Sequence, residues 1–272
     1  MVPRANWKGF LKAGELNCAI ALYSASSTSD RIAFRTLNRK TGHHLNREFI
    51  DSETRKLVEK EEQVKGYETQ DGRYVMLDAD EMASAIPGAD KTLAIDAFIK
   101  RDEVEDVYFD KPYFLAPVNK ESREVFDLIA DGLAANGVVA LAETVLFRRV
   151  RTLLIRPIEP AGLVAFTLNF DYEVRSAVDA FKDVPVLKLQ DEMLTLAKHI
   201  IGTKMGKFNP ASFDDRYEKA LAELVKAKIE GRKIIPLPEP KKGKVVDLME
   251  ALRMSAKSSA KPTEKTKTGK AA

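Results

Sequence analysis

Short stretches of alternating apolar residues fill most of the first 170 residues, and they constrain the fold more than any other feature. In the clearest stretch, residues 164–170, every second residue is apolar, which is typical of a half-buried β-strand: Val164, Phe166, Leu168 and Phe170. Further runs predict strands at 16–23, 31–37, 43–50, 92–99, 113–116, 138–147 and 150–155. Residues 63–68 and 73–77 flank Asp71-Gly72, a strong signal for a two-residue hairpin turn.

Helical patterns are sparse in the same region. Asp78 and Glu81 have capping-box spacing and predict a short helix that ends near Pro87-Gly88. A longer helix is predicted at 119–135, ended by Gly137, with an apolar stripe of Val125, Leu128, Ile129 and Leu133. Strands without a repeated strand–helix–strand rhythm favour an α+β protein whose core is a β-barrel or a strongly curved antiparallel sheet.

The pattern changes to a helical segment at about 185–231. Helices are predicted at 189–201 and at 212–230, where Ser212 and Asp215 have capping-box spacing and Gly231 follows the end. We therefore expect one core over residues 1–231. A Pro- and Lys-rich linker follows at 232–244, and a tail at 256–272 is too rich in lysine to fold.

Residues 245–255 have the spacing of a short amphipathic helix. Apolar residues recur at positions i, i+3, i+4 and i+7: Val245, Leu248, Met249 and Leu252. Two interpretations remain open, a terminal helix that packs on the core and a tethered segment that docks on a partner.

The chain has 44 Lys and Arg residues and 41 Asp and Glu residues, so its net charge is small. The positive charges are nevertheless concentrated in two segments. Residues 31–65 hold nine basic and six acidic residues in a predicted basic hairpin, and a second basic cluster lies at 148–151. Such ridges suit the phosphate backbone of nucleic acid, although soluble edge strands protected against aggregation have the same composition. The candidate phosphate contacts are Arg35, Arg39, Lys40, Arg47, Lys56, Lys60, Lys65, Arg148, Arg149 and Arg151, with weaker contacts from Lys257, Lys261, Lys265, Lys267 and Lys270 of the tail.

Residues for catalysis or metal binding are scarce. Three histidines and the single Cys18, which we expect in the core, form no metal-binding or nucleophile motif, so no enzyme activity, metal or cofactor is expected. A nuclease would require the acidic clusters to converge: Asp102, Glu103, Glu105, Asp106, and Asp214-Asp215. No membrane span and no secretory signal are predicted, so a cytoplasmic location is expected.

Several short motifs follow one another along the chain: Trp7-Lys8-Gly9, Ala21-Leu22-Tyr23, Ile32-Ala33-Phe34, Val64-Lys65-Gly66-Tyr67-Glu68, Lys111-Pro112-Tyr113-Phe114-Leu115, Glu173-Val174-Arg175 and 245–253. Their sequences and their order resemble those of the bacterial Ku family. The similarity extends from residue 7 to about 255. Ala19 stands where many relatives carry proline, and the lysine-rich tail is short.

The resemblance implies a β-barrel with a long bridging insertion at about 31–66. It also implies a homodimer whose bridges close a ring around double-stranded DNA ends, as part of non-homologous end joining. The segment containing Val245, Leu248, Met249, Leu252 and Arg253 would then help to recruit DNA ligase D. A β-barrel module that binds single-stranded DNA or RNA is the alternative, and it would require exposed aromatic residues among the basic ones.

Overall fold

The structure, a computed structural model, describes residues 4–85, 91–159 and 162–232. The chain divides into two compact units, Met1–Ala180 and Phe181–Ala272. The predicted linker at 232–244, the helix at 245–255, the tail and the predicted stop at Pro87-Gly88 lie essentially outside the described residues, and they stay predictions.

The first unit contains a closed β-barrel. Its described strands are β1 (Trp7–Ala13), β2 (Leu16–Ser24), β3 (Lys65–Glu68), β4 (Tyr74–Leu77), β5 (Thr92–Lys100), β6 (Phe109–Pro117), β7 (Val138–Leu146), β8 (Arg149–Pro157) and β9 (Leu163–Leu168). Seven of them close in the order β1-β2-β6-β9-β8-β7-β5, while β3 and β4 form a separate hairpin. Every barrel pair is antiparallel except β1–β5, which is parallel. The predicted α+β barrel is confirmed.

Alternation along the strands builds the barrel core. Leu11, Ile20, Leu93 and Leu153 retain almost no exposed surface, and Cys18 lies among them as expected. The sequence analysis missed β1, although Leu11 faces the core and the flanking Lys8 and Lys12 are exposed.

Helix α2 (Lys120–Asn136) closes one end of the barrel. Asn119 caps it by accepting a hydrogen bond from the Ser122 amide at 2.9 Å, and Gly137 ends it with a left-handed φ of 62°. The prediction that Leu128 belongs to the buried stripe is wrong, because Leu128 is 58% exposed. Phe126 takes the inward position instead, together with Ile129 and Leu133.

A long insertion between β2 and β5 leaves the opposite end of the barrel. Strand directions place the end of β2, the start of β5 and the β7–β8 turn at this end, whereas α2 joins β6 to β7 at the other. We name residues 25–85 the arm. It contains the short helix α1 (Ala79–Ser84) and the β3–β4 hairpin, in which Gly72 has a φ of 77°. The predicted two-residue turn is wrong, because the Thr69 amide donates to the Arg73 carbonyl at 2.8 Å and the turn therefore spans residues 70–72.

The predicted strands at 31–37 and 43–50 are wrong. The arm instead has extended backbone joined by the isolated bridges Leu37↔His44 and Ile50↔Leu57. A two-stranded ribbon is marginal without a covered apolar face. Here the side chains that would form such a face, including Phe34 and Phe49, are about two-thirds exposed.

The described part of the second unit is helical. α3 (Ala177–Phe181) reaches the boundary, and α4 (Asp191–Lys204) and α5 (Arg216–Ile229) follow. The predicted helix start at Ser212 is wrong, because Ser212 lies in a separate 3₁₀ turn. Asp215 caps α5 by accepting a hydrogen bond from the Glu218 amide at 3.0 Å, and Gly231 has the expected positive φ.

Candidate nucleic-acid interface

The basic residues predicted in the arm all have exposed side chains. They are Arg35, Arg39, Lys40, Arg47, Lys56, Lys60 and Lys65. Within residues 4–85, 91–159 and 162–232, no ion pair joins any of them to a carboxylate, and the same holds for Arg148, Arg149 and Arg151. Arg73, by contrast, pairs with Asp71 in the β3–β4 turn. Unpaired exposed cations are available to anionic ligands.

A turn brings two of the predicted contacts together. Residues 36–45 fold back through hydrogen bonds from the Asn38 amide to the His43 carbonyl at 2.8 Å and from the Leu45 amide to the Thr36 carbonyl at 3.2 Å. Gly42 supplies a φ of 72° in this turn. The result is a groove of about 530 Å³ that is lined by Arg35, Thr36, His44, Leu45, Asn46 and Arg47. Arg39 and Lys40 lie on the turn itself.

Asp51 organises the second turn of the arm. Its Oδ1 accepts hydrogen bonds from the Thr54 amide at 2.7 Å, the Thr54 hydroxyl at 3.0 Å and the Glu53 amide at 3.0 Å. These bonds stabilise the carboxylate and lower the pKa of Asp51. The Asp51 amide donates to the Lys56 carbonyl at 2.9 Å, so the turn fixes the backbone at Lys56 and at Arg55, whose φ is 58°. Arg55 is a further exposed cation that the sequence analysis did not assign to the site.

Lys60 and Lys65 have a mixed electrostatic environment. Lys60 begins a 3₁₀ turn that ends at Glu62, and Glu59 precedes it. Lys65 begins β3 opposite Leu77. Nearby carboxylates reduce the positive potential here, so this part of the arm is less basic than the groove at Arg35 and Arg47.

The second basic cluster lies at the same barrel end as the root of the arm. Phe147 and Arg148 form the turn between β7 and β8, and Leu146 pairs with Arg149. The Phe147 ring lies 6.4 Å from that of Tyr113, and Tyr113 pairs with Ser24, the last residue of β2 before the arm. Distant stretches of sequence therefore meet at one end of the barrel.

The pKa of Tyr113 depends on its burial and on the charged residues around this end of the barrel. Burial raises the pKa of its hydroxyl, and Asp110 raises that pKa further. Arg151 acts in the opposite direction, so its cation lies close enough to favour the ionised phenol. The predicted residue Arg151 is half-buried, in contrast to Arg148 and Arg149.

Two further lysines at this barrel end were missed in the sequence analysis. Lys8 is exposed on β1, and Lys91 precedes β5 with a φ of 54°. The Lys91 carbonyl accepts a hydrogen bond from the Phe10 amide at 2.9 Å. The alternation in β1 was the available signal for Lys8. Lys91 has no comparable signal, because its position follows from the return of the arm to the barrel.

The acidic clusters do not form a metal site in the part of the chain that the structure describes. No group of three His, Cys, Asp or Glu side chains is arranged there to hold a metal ion. Asp106 pairs with Arg101, Asp214 pairs with Lys219, and Asp215 caps α5. Among the described helices, none has the length and apolar character needed to cross a membrane.

Comparison with known proteins assigns the family. The family model for the Ku70/Ku80 beta-barrel domain matches residues 12–196. The chain is 55% identical over 262 residues to a non-homologous end joining protein Ku from Cereibacter sphaeroides strain KD131, covering 96% of this chain and 98% of the relative. It is 39% identical over 256 residues to the protein of the same name from Bradyrhizobium sp. strain ORS 278, covering 94% and 87%.

A similarity to the solved SPOC domain of human PHD-finger protein 3 is weak. The TM-score is 0.32 and the identity 10%, over 62% of this chain and 99% of that chain, which is too low to carry an argument. The curated relatives, by contrast, match nearly end to end. The barrel, its arm and the matched motifs thus agree with these comparisons, and the chain belongs to the Ku family of non-homologous end joining proteins.

Proposed function

We propose that this protein binds the ends of double-stranded DNA as a homodimer, without enzymatic activity, and recruits DNA ligase D in the repair of double-strand breaks. The observation that carries the proposal is a set of exposed cations along the arm and at its root that form no ion pair with any described residue. They suit phosphate oxygens, which are the same on every DNA sequence. The name shared by the bacterial relatives, non-homologous end joining protein, gives the proposal its biological setting.

Exposed apolar side chains on the arm support the proposal that the protein forms a homodimer. Phe34, Phe49 and Ile50 are 66%, 65% and 58% exposed, and Tyr67 and Met76 of the β3–β4 hairpin are 67% and 72% exposed. Such a density of exposed apolar side chains is typical of a surface that is covered in an assembly. Two arms related by a two-fold axis would bury these side chains against each other and enclose a duplex about 20 Å wide.

The test of this proposal is topological. Linear, hairpin-blocked and closed circular duplexes of identical sequence are compared in a gel-shift titration. We expect binding to the linear duplex and little binding to the closed circle, because a closed ring has no route onto DNA without an end. Equal binding to the sealed and cut forms contradicts the proposal, as does a stable monomer in sedimentation equilibrium.

Recruitment of the ligase is assigned to 245–255, which the resemblance and the apolar spacing support. Leu248→Asp places a charge in the apolar stripe and is expected to abolish stimulation of ligase D while DNA binding stays normal. Ser259→Asp, which adds the same charge outside the segment 245–255, is the matched control. Unfolding of the whole protein by Leu248→Asp would instead mean that the segment packs on the core.

A second candidate function is binding of single-stranded DNA or RNA. Exposed aromatic side chains lie among the cations of the arm, with Phe34 next to Arg35 and Phe49 two residues after Arg47. Bases stack on such rings in single-strand binders. A competition assay separates the candidates: displacement of the duplex by an equal mass of single strand favours the second one.

A further inference from the structure

The fold-back of residues 36–45 places His44 in the basic groove of the arm. The two backbone hydrogen bonds that close the fold-back lie on either side of Leu37 and His44. These two residues are therefore a non-hydrogen-bonded antiparallel pair, the kind whose side chains lie closest together on one face. From this position the His44 ring lines the groove of about 530 Å³ together with Arg35 and Arg47.

Hydrogen-bond donors line this groove and carboxylates do not. The Arg35 and Arg47 guanidinium groups contribute positive charge, and the Thr36 hydroxyl and the Asn46 side-chain amide are further donors. Among the residues that the structure describes, no Asp or Glu side chain lines the groove, and neither arginine forms an ion pair. An anion such as a phosphate group is the ligand that this combination suits.

His44 differs from the other groove residues because the charge of a histidine ordinarily changes between about pH 5 and pH 8. In the protonated ring both nitrogens are donors, so the imidazolium is able to bind a phosphate oxygen in the same way as the arginines do. A third positive charge beside Arg35 and Arg47 is repelled in an empty groove, and a bound phosphate group offsets this repulsion. The proton and the phosphate therefore favour each other's binding.

We propose that His44 is a further phosphate-binding residue of the arm and that it binds the phosphate in its protonated form. The proposal rests on the function proposed above, since the phosphate is that of a DNA duplex, and it makes the affinity for DNA depend on pH. The direction follows from the charge: binding takes up a proton, so the affinity increases as pH falls through the range in which His44 titrates. The contact is to the backbone, so the affinity stays independent of sequence.

His43 provides a matched control within the same turn. It adjoins His44 in the sequence and is equally exposed, but it does not line the groove. Successive side chains of extended backbone point to opposite faces, which explains the difference. The other charged residues of the turn are Arg39 and Lys40, and arginine and lysine side chains ordinarily keep their charge between pH 6 and pH 8. A pH effect that depends on the groove is therefore separable from one that depends on any histidine of the arm.

Fluorescence anisotropy with the full-length protein tests the proposal at about pH 6 and about pH 8 and at constant ionic strength. The probe is a linear duplex with 5′-hydroxyl ends, because a terminal phosphate group itself titrates near pH 6. We expect the parent protein to bind about tenfold more tightly at the lower pH, the order of one charge-assisted hydrogen bond. His44→Gln should remove this dependence, and His44→Arg should bind at the higher pH as tightly as the parent does at the lower. His43→Gln should behave as the parent.

Two further measurements report the charge of His44 directly. The slope of log K against log salt should be steeper at the lower pH by about 0.9 for each His44 that neutralises a phosphate, and His44→Gln should show no such change. Calorimetric titration in two buffers with different ionisation enthalpies counts the protons taken up when DNA binds. We expect net uptake by the parent near pH 7 and none by His44→Gln.

Failure of this proposal is distinguishable from failure of the proposed function. If the parent binds the linear duplex equally well at both pH values, or if His44→Gln keeps the pH dependence, the assignment of His44 is wrong and the proposed function stands. Loss of the dependence in His43→Gln also overturns the assignment. If the parent binds no linear duplex at either pH, the proposed function fails and the assignment of His44 fails with it.

Discussion

Gly9 shows how one residue fixes the root of the arm. A Cβ atom at this position would lie 2.0 Å from the Lys91 carbonyl oxygen and 2.3 Å from the Trp7 ring. The same carbonyl accepts the hydrogen bond from the Phe10 amide that joins β1 to the start of β5. Only glycine lets the returning arm approach β1 this closely while Trp7 lies across the strand. This gives the motif Trp7-Lys8-Gly9 a physical reason.

Gly9→Ala is therefore expected to lower the free energy of unfolding by about 1–3 kcal/mol, the usual range for overpacking. Thermal or urea denaturation measures the change. Gly132→Ala is the matched control, because a Cβ there meets nothing within 4 Å and lies in the middle of α2. The control should be neutral or stabilise by up to about 1 kcal/mol. Equal stability of the two variants would contradict the close approach at Gly9.

At the scale of elements, the arm depends on local hydrogen bonds rather than on a core. Its residues are exposed almost throughout, and its turns are fixed by Asn38, Gly42 and Asp51. A segment of this kind opens at low free energy even where the barrel stays folded. The conformation of the arm is therefore sensitive to the ionisation of its turn residues.

The lowered pKa of Asp51 determines whether a fall in pH stabilises or destabilises the turn. Because the folded turn lowers the pKa of Asp51, the turn is more stable above the ordinary aspartate pKa and is lost as pH falls through the lowered value. We expect the Thr54 amide resonance in NMR to titrate with a midpoint below that of an unperturbed aspartate. Asp51→Ala should speed hydrogen exchange at Glu53 and Thr54 without changing the melting temperature of the barrel.

An ordinary or elevated midpoint would contradict this account of the turn. Asp30→Ala is a suitable control, because Asp30 lies in the same arm and, among the described residues, its carboxylate accepts only a long hydrogen bond from the Ser29 hydroxyl, at 3.5 Å. That variant should leave exchange at Glu53 and Thr54 unchanged.

For the whole molecule, the attraction of DNA depends more on where the charges lie than on the net charge. The net charge of +3 is small, yet the arm and the barrel end from which it extends carry exposed cations that lack an ion pair within the described part of the chain. Elsewhere cations and carboxylates pair with each other, as Arg101 does with Asp106 and Arg123 with Asp127. A local field of this kind attracts a polyanion even when the net charge is close to zero.

The double variant Arg35→Glu/Arg47→Glu tests whether the positive potential of the groove between these two arginines contributes to DNA binding. If each cation neutralises one phosphate, the slope of log K against log salt should decrease by about 2, and binding to duplexes of any sequence should weaken alike. Lys12→Glu/Lys120→Glu changes the net charge equally, but on exposed residues near the barrel end that α2 closes. Equal losses in the two double variants would show that only net charge matters. Unequal losses across sequences would contradict backbone recognition.

Local patterns were sufficient for most of the elements whose side chains have a buried face, although β1 was missed. The alternation in β2 and β9 and the apolar stripe and following glycine of α2 predicted these elements, because core burial imposes a period on the sequence. The arm has no such face, so its apolar residues suggested strands that do not form. Leu128 was misplaced for a related reason: helical spacing alone does not say which part of a broad apolar face meets the barrel.

The sequence by itself determined six of the seven barrel strands, all but β1, together with the helix that closes one end, the family and the basic composition of residues 31–65 and 148–151. Only the tertiary structure decided that these basic segments share one end of the barrel, because that depends on strand order and direction across more than 100 residues. It also decided which cations lack an acidic partner among the described residues and that Phe147 lies exposed at the β7–β8 turn. The proximity of the basic segments and the exposure of their side chains result from the closure of the barrel, so local sequence patterns do not predict them.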